Sequence, residues 1–489
     1  NSSVGKLEVE SVKVDGVVTN IADYRFNFTN TYKAEGQGSI IGTKTLTGGT
    51  LTDGLFHFGL YDENDTPVMD ENNNPITATN QNGKFTLVTP KYTQNDIGKT
   101  YTYHVKEIVD NTKANIYTYD EHTWKVHISI SDSVNSNGKL SVIVSTADGS
   151  SEFKNTYKAD GSLVLTALKT VSGRDDVPDE KFTFNLYESN ENKTEVNLIS
   201  GQSVKNKGNS ISFKPINYSA SDIGKTYYYL MKEDQTPIGG YTLSDKAYWV
   251  KVKISDAGNG KLKVEYQITD TSDNSIIFQN DGDENQQKKE TPVFENIYHA
   301  TGKIVLKGKK ILEGKTLDIT KSENKFQFKL YDASTDQQIG KAVDIDERGE
   351  FSFPELSFDE NQLGKHIYQI EEINAGASGY TYSDPISVTV IVSDNGDGTL
   401  KVTSDKNGTD NNNGIIFTNY YRASVNVPLQ VKKILKGRAI ENEQFSFILK
   451  KDGETDSVET KACNGDGIAK FTPLNFDQTQ VGNTYTYII

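Results

Sequence analysis

The chain has one cysteine, Cys463. No intrachain disulfide can form, which excludes a disulfide-stapled secreted scaffold. Methionine and tryptophan occur twice each and proline 11 times in 489 residues. No apolar run reaches the length of a membrane-spanning helix, so no membrane insertion is expected. Basic residues are in deficit: Lys+Arg is 52 against Asp+Glu 67, a formal net charge of -15. Such a chain repels phosphate backbones, and no nucleic-acid partner is expected. The pattern lacks HExxH, GxGxxG, a Walker loop and GxSxG, so neither a metal nor a cofactor is expected. Asn1–Gly5 has no basic or apolar signal-peptide region. Tyr485–Ile489 stops inside a strand-like alternation. The sequence therefore reads as a piece cut at both ends.

Aromatic residues are abundant, with 26 Tyr and 21 Phe, unlike a disordered chain. A mean hydropathy of -0.59 fits several thin cores better than one large core. At ~150 residues per domain the length suggests about three domains. Internal repetition supplies the boundaries. A Phe-x-Asn-x-Tyr block recurs at Phe28–Tyr32, Phe153–Tyr157, Phe294–Tyr298 and Phe417–Tyr421. A Lys-x-(Leu/Val/Ile)-x-Gly block follows at Lys44–Gly48, Lys169–Gly173, Lys310–Gly314 and Lys433–Gly437, always 14 residues from Asn to Lys. Next come Phe-x-Phe-x-Leu blocks from Phe56, Phe182, Phe326 and Phe445, then a Tyr-rich alternation leading to Glu107, Glu233 and Glu372. The expected division is the end of a preceding module (1–34), three complete modules (35–158, 159–300, 301–422) and the start of another (423–489).

Alternation with period two dominates, as in Trp124–Ile130 and Tyr248–Ile254, and indicates half-buried strands. Turn pairs such as Asn137-Gly138 and Asn259-Gly260 separate them. Helical spacing is absent beyond short turns expected near Asn95–Gly98 and Ser221–Gly224. The expected fold is all-β: tandem Ig-like antiparallel sandwiches of about seven to nine strands each, joined by short linkers into an elongated rod.

One Lys, one Glu and one Asn recur per module. Burial disfavours charge, so a buried Lys becomes a free amine and a buried Glu a carboxylic acid. A desolvated amine can attack a carbonyl carbon. The Asn carboxamide is the carbonyl in the set with a leaving group, ammonia. The Glu can donate to the amide oxygen and move protons. The product would be a Lys–Asn isopeptide bond, formed once and without turnover.

The ordered blocks resemble the streptococcal pilin isopeptide-linkage (FctA-type) domain of Gram-positive pili and surface adhesins. The resemblance covers essentially the whole chain. It implies a Cna B-type sandwich in which the early Lys bonds to the late Asn with the middle Glu as promoter. Carried over, the sets are Lys44/Glu107/Asn155, Lys169/Glu233/Asn296 and Lys310/Glu372/Asn419. In the second module Asn280 is an alternative partner. It lies 47 residues beyond Glu233, against 48 and 47 in the other two sets. Asn296 keeps the aromatic Tyr298 and the 14-residue step, and is preferred, with Asp281–Pro292 as a long loop. Asn30 has no upstream Lys in a Lys-x-(Leu/Val/Ile)-x-Gly block, and Lys433 no downstream Glu or Asn in the corresponding blocks, so these sets are incomplete.

The expected function is a structural, extracellular stalk, cell wall-anchored in the full-length protein, and not an enzyme. The alternative is an adhesin whose modules bind host protein or glycan. Tyr101/Tyr103 and Phe56/Phe58 read as core. The acidic loops Asp62–Asp65 and Asp394–Gly398 read as hairpin turns rather than calcium sites. Cys463 reads as structural or incidental, the six His show no paired metal spacing, and His104 and His366 in the Tyr-rich strands read as packing residues.

Overall fold

A computed structural model describes residues 12–19, 28–132, 137–280, 289–410 and 412–489. Among these, every sheet lies within one of the spans 12–19, 35–157, 160–298, 301–421 and 424–488. The helical content is six three-residue 3-10 turns. Four of them (Gln94–Asp96, Ala220–Asp222, Glu360–Gln362 and Gln478–Gln480) recur at one point of the repeat. Thr93, Asp359 and Asp477 open theirs as capping residues whose side chains accept an N–H of the turn, and at the second the Asp222 carboxylate accepts the Ser219 N–H.

The first complete unit shows the plan. One sheet runs in the order Tyr117–Thr118, Glu152–Tyr157, Ser39–Thr47, Lys84–Val88. The other runs Leu140–Asp148, Trp124–Asp132, Thr100–Ile108, His57–Tyr61, Thr77–Thr79. Eleven strands lie between residues 35 and 157, more than the seven to nine expected. Two-residue strands in the connections, such as Tyr92–Thr93 and Tyr117–Thr118, make up the difference. The third unit repeats the four- and five-stranded pair, and the second enlarges the latter sheet.

Apart from a single parallel bridge in each unit (Glu35 with Lys139, Asp160 with Lys261, Thr301 with Thr399), pairing is antiparallel, with one recurrent parallel ladder that alternation could not show. The first long strand and the last lie side by side and parallel. The partners are Ser39–Thr47 with Glu152–Tyr157, Thr166–Ser172 with Val293–Tyr298, and Lys307–Glu313 with Ile415–Tyr421. The register is the same each time: Lys44 opposite Phe153, Lys169 opposite Phe294, Lys310 opposite Phe417. A parallel pair needs a long crossover, and the rest of the module is that crossover.

Inward-facing aromatics fill the space between the sheets. Phe58 stacks on Phe85 with centroids 3.7 Å apart, and Phe328 on Phe351 at 4.0 Å. Phe56, Phe58, Phe153, Phe182, Phe184, Phe294 and Phe328 are all buried. The Phe-x-Phe-x-Leu block thus supplies core from alternate positions of one strand.

The glycine closing each Lys-x-(Leu/Val/Ile)-x-Gly block has a steric reason. Gly314 sits at φ +84, and a Cβ there would lie 2.3 Å from the carbonyl oxygen of Tyr421. The left-handed backbone and the close approach both require glycine. Gly314→Ala is expected to destabilise the third module by about 2 kcal/mol, read as a lower urea midpoint for that module.

Candidate functional site

The parallel register decides which side chains meet. Asn155 lies opposite Leu46, two residues beyond Lys44. Lys44 and Asn155 therefore project from neighbouring strands onto the same face of the sheet. Asn296 opposite Val171 and Asn419 opposite Leu312 repeat this. The glutamates come from the facing sheet, where Glu107, Glu233 and Glu372 pair with Phe58, Phe184 and Phe328. Each set thus spans the core between the two sheets.

The three lysines are at most 1% exposed, although lysine is seldom fully buried. The lysine Nζ lies 2.7, 3.3 and 2.9 Å from the glutamate Oε2 in the three modules. The asparagine Nδ2 donates to the other carboxylate oxygen, Oε1, at 2.7, 2.7 and 2.8 Å. One carboxyl group therefore bridges amine and carboxamide. The lysine Nζ also lies over a phenylalanine ring: Lys44 over Phe56 at 4.6 Å, Lys169 over Phe182 and Lys310 over Phe326 at 4.8 Å each. The first Phe of the block is thus a wall of the site as well as core.

The carboxamide oxygen has its own partner, a backbone N–H. Asp120 donates to Asn155 Oδ1 at 2.8 Å, Ser244 to Asn296 at 2.7 Å and Ser383 to Asn419 at 3.0 Å. This corrects one expectation, that the Glu donates to the amide oxygen. The Glu faces the amide nitrogen, and the oxygen is held by the main-chain donor. Sequence reasoning missed these donors. Their signal was the repeated Tyr-Thr-x-(Asp/Ser) at Tyr117–Asp120, Tyr241–Ser244 and Tyr380–Ser383.

Asn280 is not brought to Glu233. It follows the strand Ile276–Gln279 and exchanges hydrogen bonds with the backbone of Tyr266. Residues 281–288 of the Asp281–Pro292 loop lie outside the described residues. Asn30 is exposed. Lys433 lies over the Phe445 ring at 5.0 Å, in the manner of the complete sets. The acidic loops are Asx turns: Asp62 accepts from the N–H of Asn64 and Thr66, and Asp394 from that of Gly396. No group of residues suited to a metal ion occurs among the described residues.

Burial dominates the electrostatics. It lowers the pKa of Lys44, and those of Lys169 and Lys310 to about 8, although the glutamates oppose it. It raises Glu107, Glu233 and Glu372 above the usual carboxylate range against the pull of the lysines. Both shifts favour the neutral pair, an amine beside a carboxylic acid.

The arrangement suits acyl transfer. Lysine Nζ can add to the carboxamide carbon while the backbone N–H stabilises the oxygen on which negative charge develops. The carboxyl group can take a proton from the amine and pass it to Nδ2, which leaves as ammonia. One C–N bond forms, one breaks, and protons balance without another reagent. For a chain isolated unfolded and then refolded, ammonia release should trace a bell against pH. Its acid limb falls as the amine becomes protonated, and its alkaline limb as the carboxyl group loses its proton. Each limb should drop about tenfold per pH unit, measured by mass after quenching at each pH.

The fold and its buried sets define a structural protein of tandem β-sandwiches, each complete one carrying a single Lys–Glu–Asn set. The FctA family model, described as a Spy0128-like isopeptide containing domain, matches residues 40–158, 165–299, 306–422 and 429–489. The chain belongs to this family of isopeptide-containing domains, which makes it a structural protein rather than an enzyme. No curated protein matches it. Among solved structures it is similar to the major pilin of Streptococcus pyogenes, with 17% identity over 53% of this chain and 98% of that one, TM-score 0.21. It is similar to the Bacillus anthracis TIE protein, with 16% identity over 92% of this chain and 69% of that one, TM-score 0.18. It is also similar to BcpA, the major pilin subunit of Bacillus cereus, with 13% identity over 79% of this chain and 99% of that one, TM-score 0.17.

Proposed function

We propose that the chain is a load-bearing stretch of an extracellular pilus or surface stalk of a Gram-positive bacterium. Each complete module is closed by one isopeptide bond: Lys44–Asn155, Lys169–Asn296 and Lys310–Asn419. Glu107, Glu233 and Glu372 promote these bonds. The observation that carries the reading is the threefold recurrence of one geometry, a buried carboxyl group holding an amine on one oxygen and a carboxamide on the other. A lone buried ion pair is weak ground for any role. Three with the same amide partner and the same main-chain donor point to a reaction.

The bond joins the strand where the chain enters a module to the strand where it leaves. That placement suits a protein under tension, and wall anchoring belongs to the same reading. The test is the intact mass under denaturing conditions. Each bond expels one ammonia, about 17 Da, so three bonds leave the chain about 51 Da light. Peptide mapping then places each cross-link, and a linkage to Asn280 would replace the second pair. A chain at full mass would leave a β-sandwich stalk without covalent closure.

A further inference from the structure

The tyrosine ending each Phe-x-Asn-x-Tyr block is absorbed neither by the bond nor by its own module's core. Tyr157 belongs to the last strand of the first complete module, yet its hydroxyl donates to Asp256 Oδ1 of the next at 2.8 Å. It also accepts the Gly260 N–H at 3.2 Å. Tyr298 repeats the pattern one module on, donating to Asp394 Oδ1 at 2.5 Å and accepting from the Gly398 N–H at 3.3 Å. Tyr32 donates to Asp132 of the first complete module at 2.8 Å. In all three the acceptor is an aspartate at or near the end of the corresponding strand of the larger sheet: Asp132 of Trp124–Asp132, Asp256 of Ala247–Gly258 and Asp394 of Ile386–Asp394.

The tyrosine ring stays with its own module. Tyr157 packs on Tyr117 with centroids 5.6 Å apart, and Tyr298 on Tyr241 at 4.6 Å. Each ring is fixed at one end and its hydroxyl engaged across the boundary at the other. At the second junction the two backbones touch. A Cβ on Gly240 would lie 2.5 Å from the Gly398 Cα, and one on Gly239 2.5 Å from the Asp397 oxygen. Gly240 and Gly398 are at φ +81 and +88. Arg174 adds to this junction, its guanidinium 5.1 Å from the Tyr298 ring centroid and 4.0 Å from Asp394.

We infer that the closing tyrosine of each module is a docking residue whose partner is the Asp-led hairpin of the following module, so that neighbouring modules are held in one fixed arrangement. The hairpin is thus an interaction surface for the end of a preceding module of the same kind. The three occurrences share chemistry, donor residue and acceptor position, which chance contact between linked domains would not reproduce. The inference does not depend on the isopeptide bonds, since no step of it uses Lys or Asn.

The test uses the full chain carrying Cys463→Ala, with spin labels on Asn192→Cys and Lys341→Cys, both exposed and in adjacent modules. Intact mass and circular dichroism confirm that each variant is folded as the parent is. The parent should give a single narrow inter-label distance. Gly398→Val, which wedges a side chain against Gly240, should replace it with a broad distribution. Tyr298→Phe keeps the ring and deletes only the hydroxyl, and should raise the undocked fraction about tenfold, the factor a hydrogen bond to a charged group is worth. A broad distribution in the parent would overturn the inference, as would a wedge variant indistinguishable from the parent. If Gly398→Val broadens the distribution and Tyr298→Phe leaves it unchanged, the tyrosine is not the docking residue and the inference also falls.

Discussion

Glu233→Gln is expected to leave the purified chain about 34 Da light instead of about 51 Da, one ammonia fewer being lost. The substitution preserves shape and removes the group that moves protons. Positioned acid–base groups contribute about 10²–10⁴ in rate, so closure of the second module should slow by at least about 100-fold. The neighbouring sets lie in separate cores and should close normally, because distant sites act independently. Mapping should then find Lys169 and Asn296 unmodified, with Lys44–Asn155 and Lys310–Asn419 intact. A deficit still at about 51 Da would show that Glu233 is dispensable. In that case the desolvated amine and the Ser244 N–H would suffice.

Much of this was legible in the sequence because repetition multiplies weak signals. One strand lysine means little; Lys44, Lys169 and Lys310 in one register, each 14 residues after an Asn, mean a shared environment. Alternation announced the sandwich, since β-branched and aromatic residues at period two fit a half-buried pleat. Two features were not legible. The parallel pairing of first and last strands depends on where a chain of over a hundred residues returns, and local patterns do not encode that. The N–H groups of Asp120, Ser244 and Ser383 are main-chain donors, so the Tyr-Thr-x-(Asp/Ser) repeat marks their place but not their use. Asn280 shows the limit of counting: its distance from Glu233 matches the other modules, yet it exchanges hydrogen bonds with Tyr266. The Phe-x-Asn-x-Tyr pattern, which tracks strand face rather than distance, led to the residue that Glu233 holds.

Asn419→Ala should turn the third module from inextensible to extensible. The substitution removes the carboxamide and leaves the Lys310–Glu372 pair in place. In the parent, tension entering at Thr301–Ile304 would reach Lys310, cross the bond to Asn419 and leave through Tyr421. The intervening residues would then lie outside the load path. Without the bond, only hydrogen bonds and packing join the two parallel strands. The roughly 110 residues between Lys310 and Asn419 could then pay out, adding about 370 Å of contour length at about 3.4 Å per residue. Single-molecule pulling should show this step in the variant and none in the parent. The same substitution reopens a loop of about 110 residues, worth about 4–5 kcal/mol on the chain-entropy account. It also leaves the Ser383 N–H and one Glu372 oxygen without their amide partner, at a further ~1–3 kcal/mol. For a module of this size the two losses together lower the melting temperature by roughly 15–25 °C. A variant that neither lengthens under force nor melts earlier would mean that the strands are held without a bond at Asn419, and the mechanical reading of the site would fail with it.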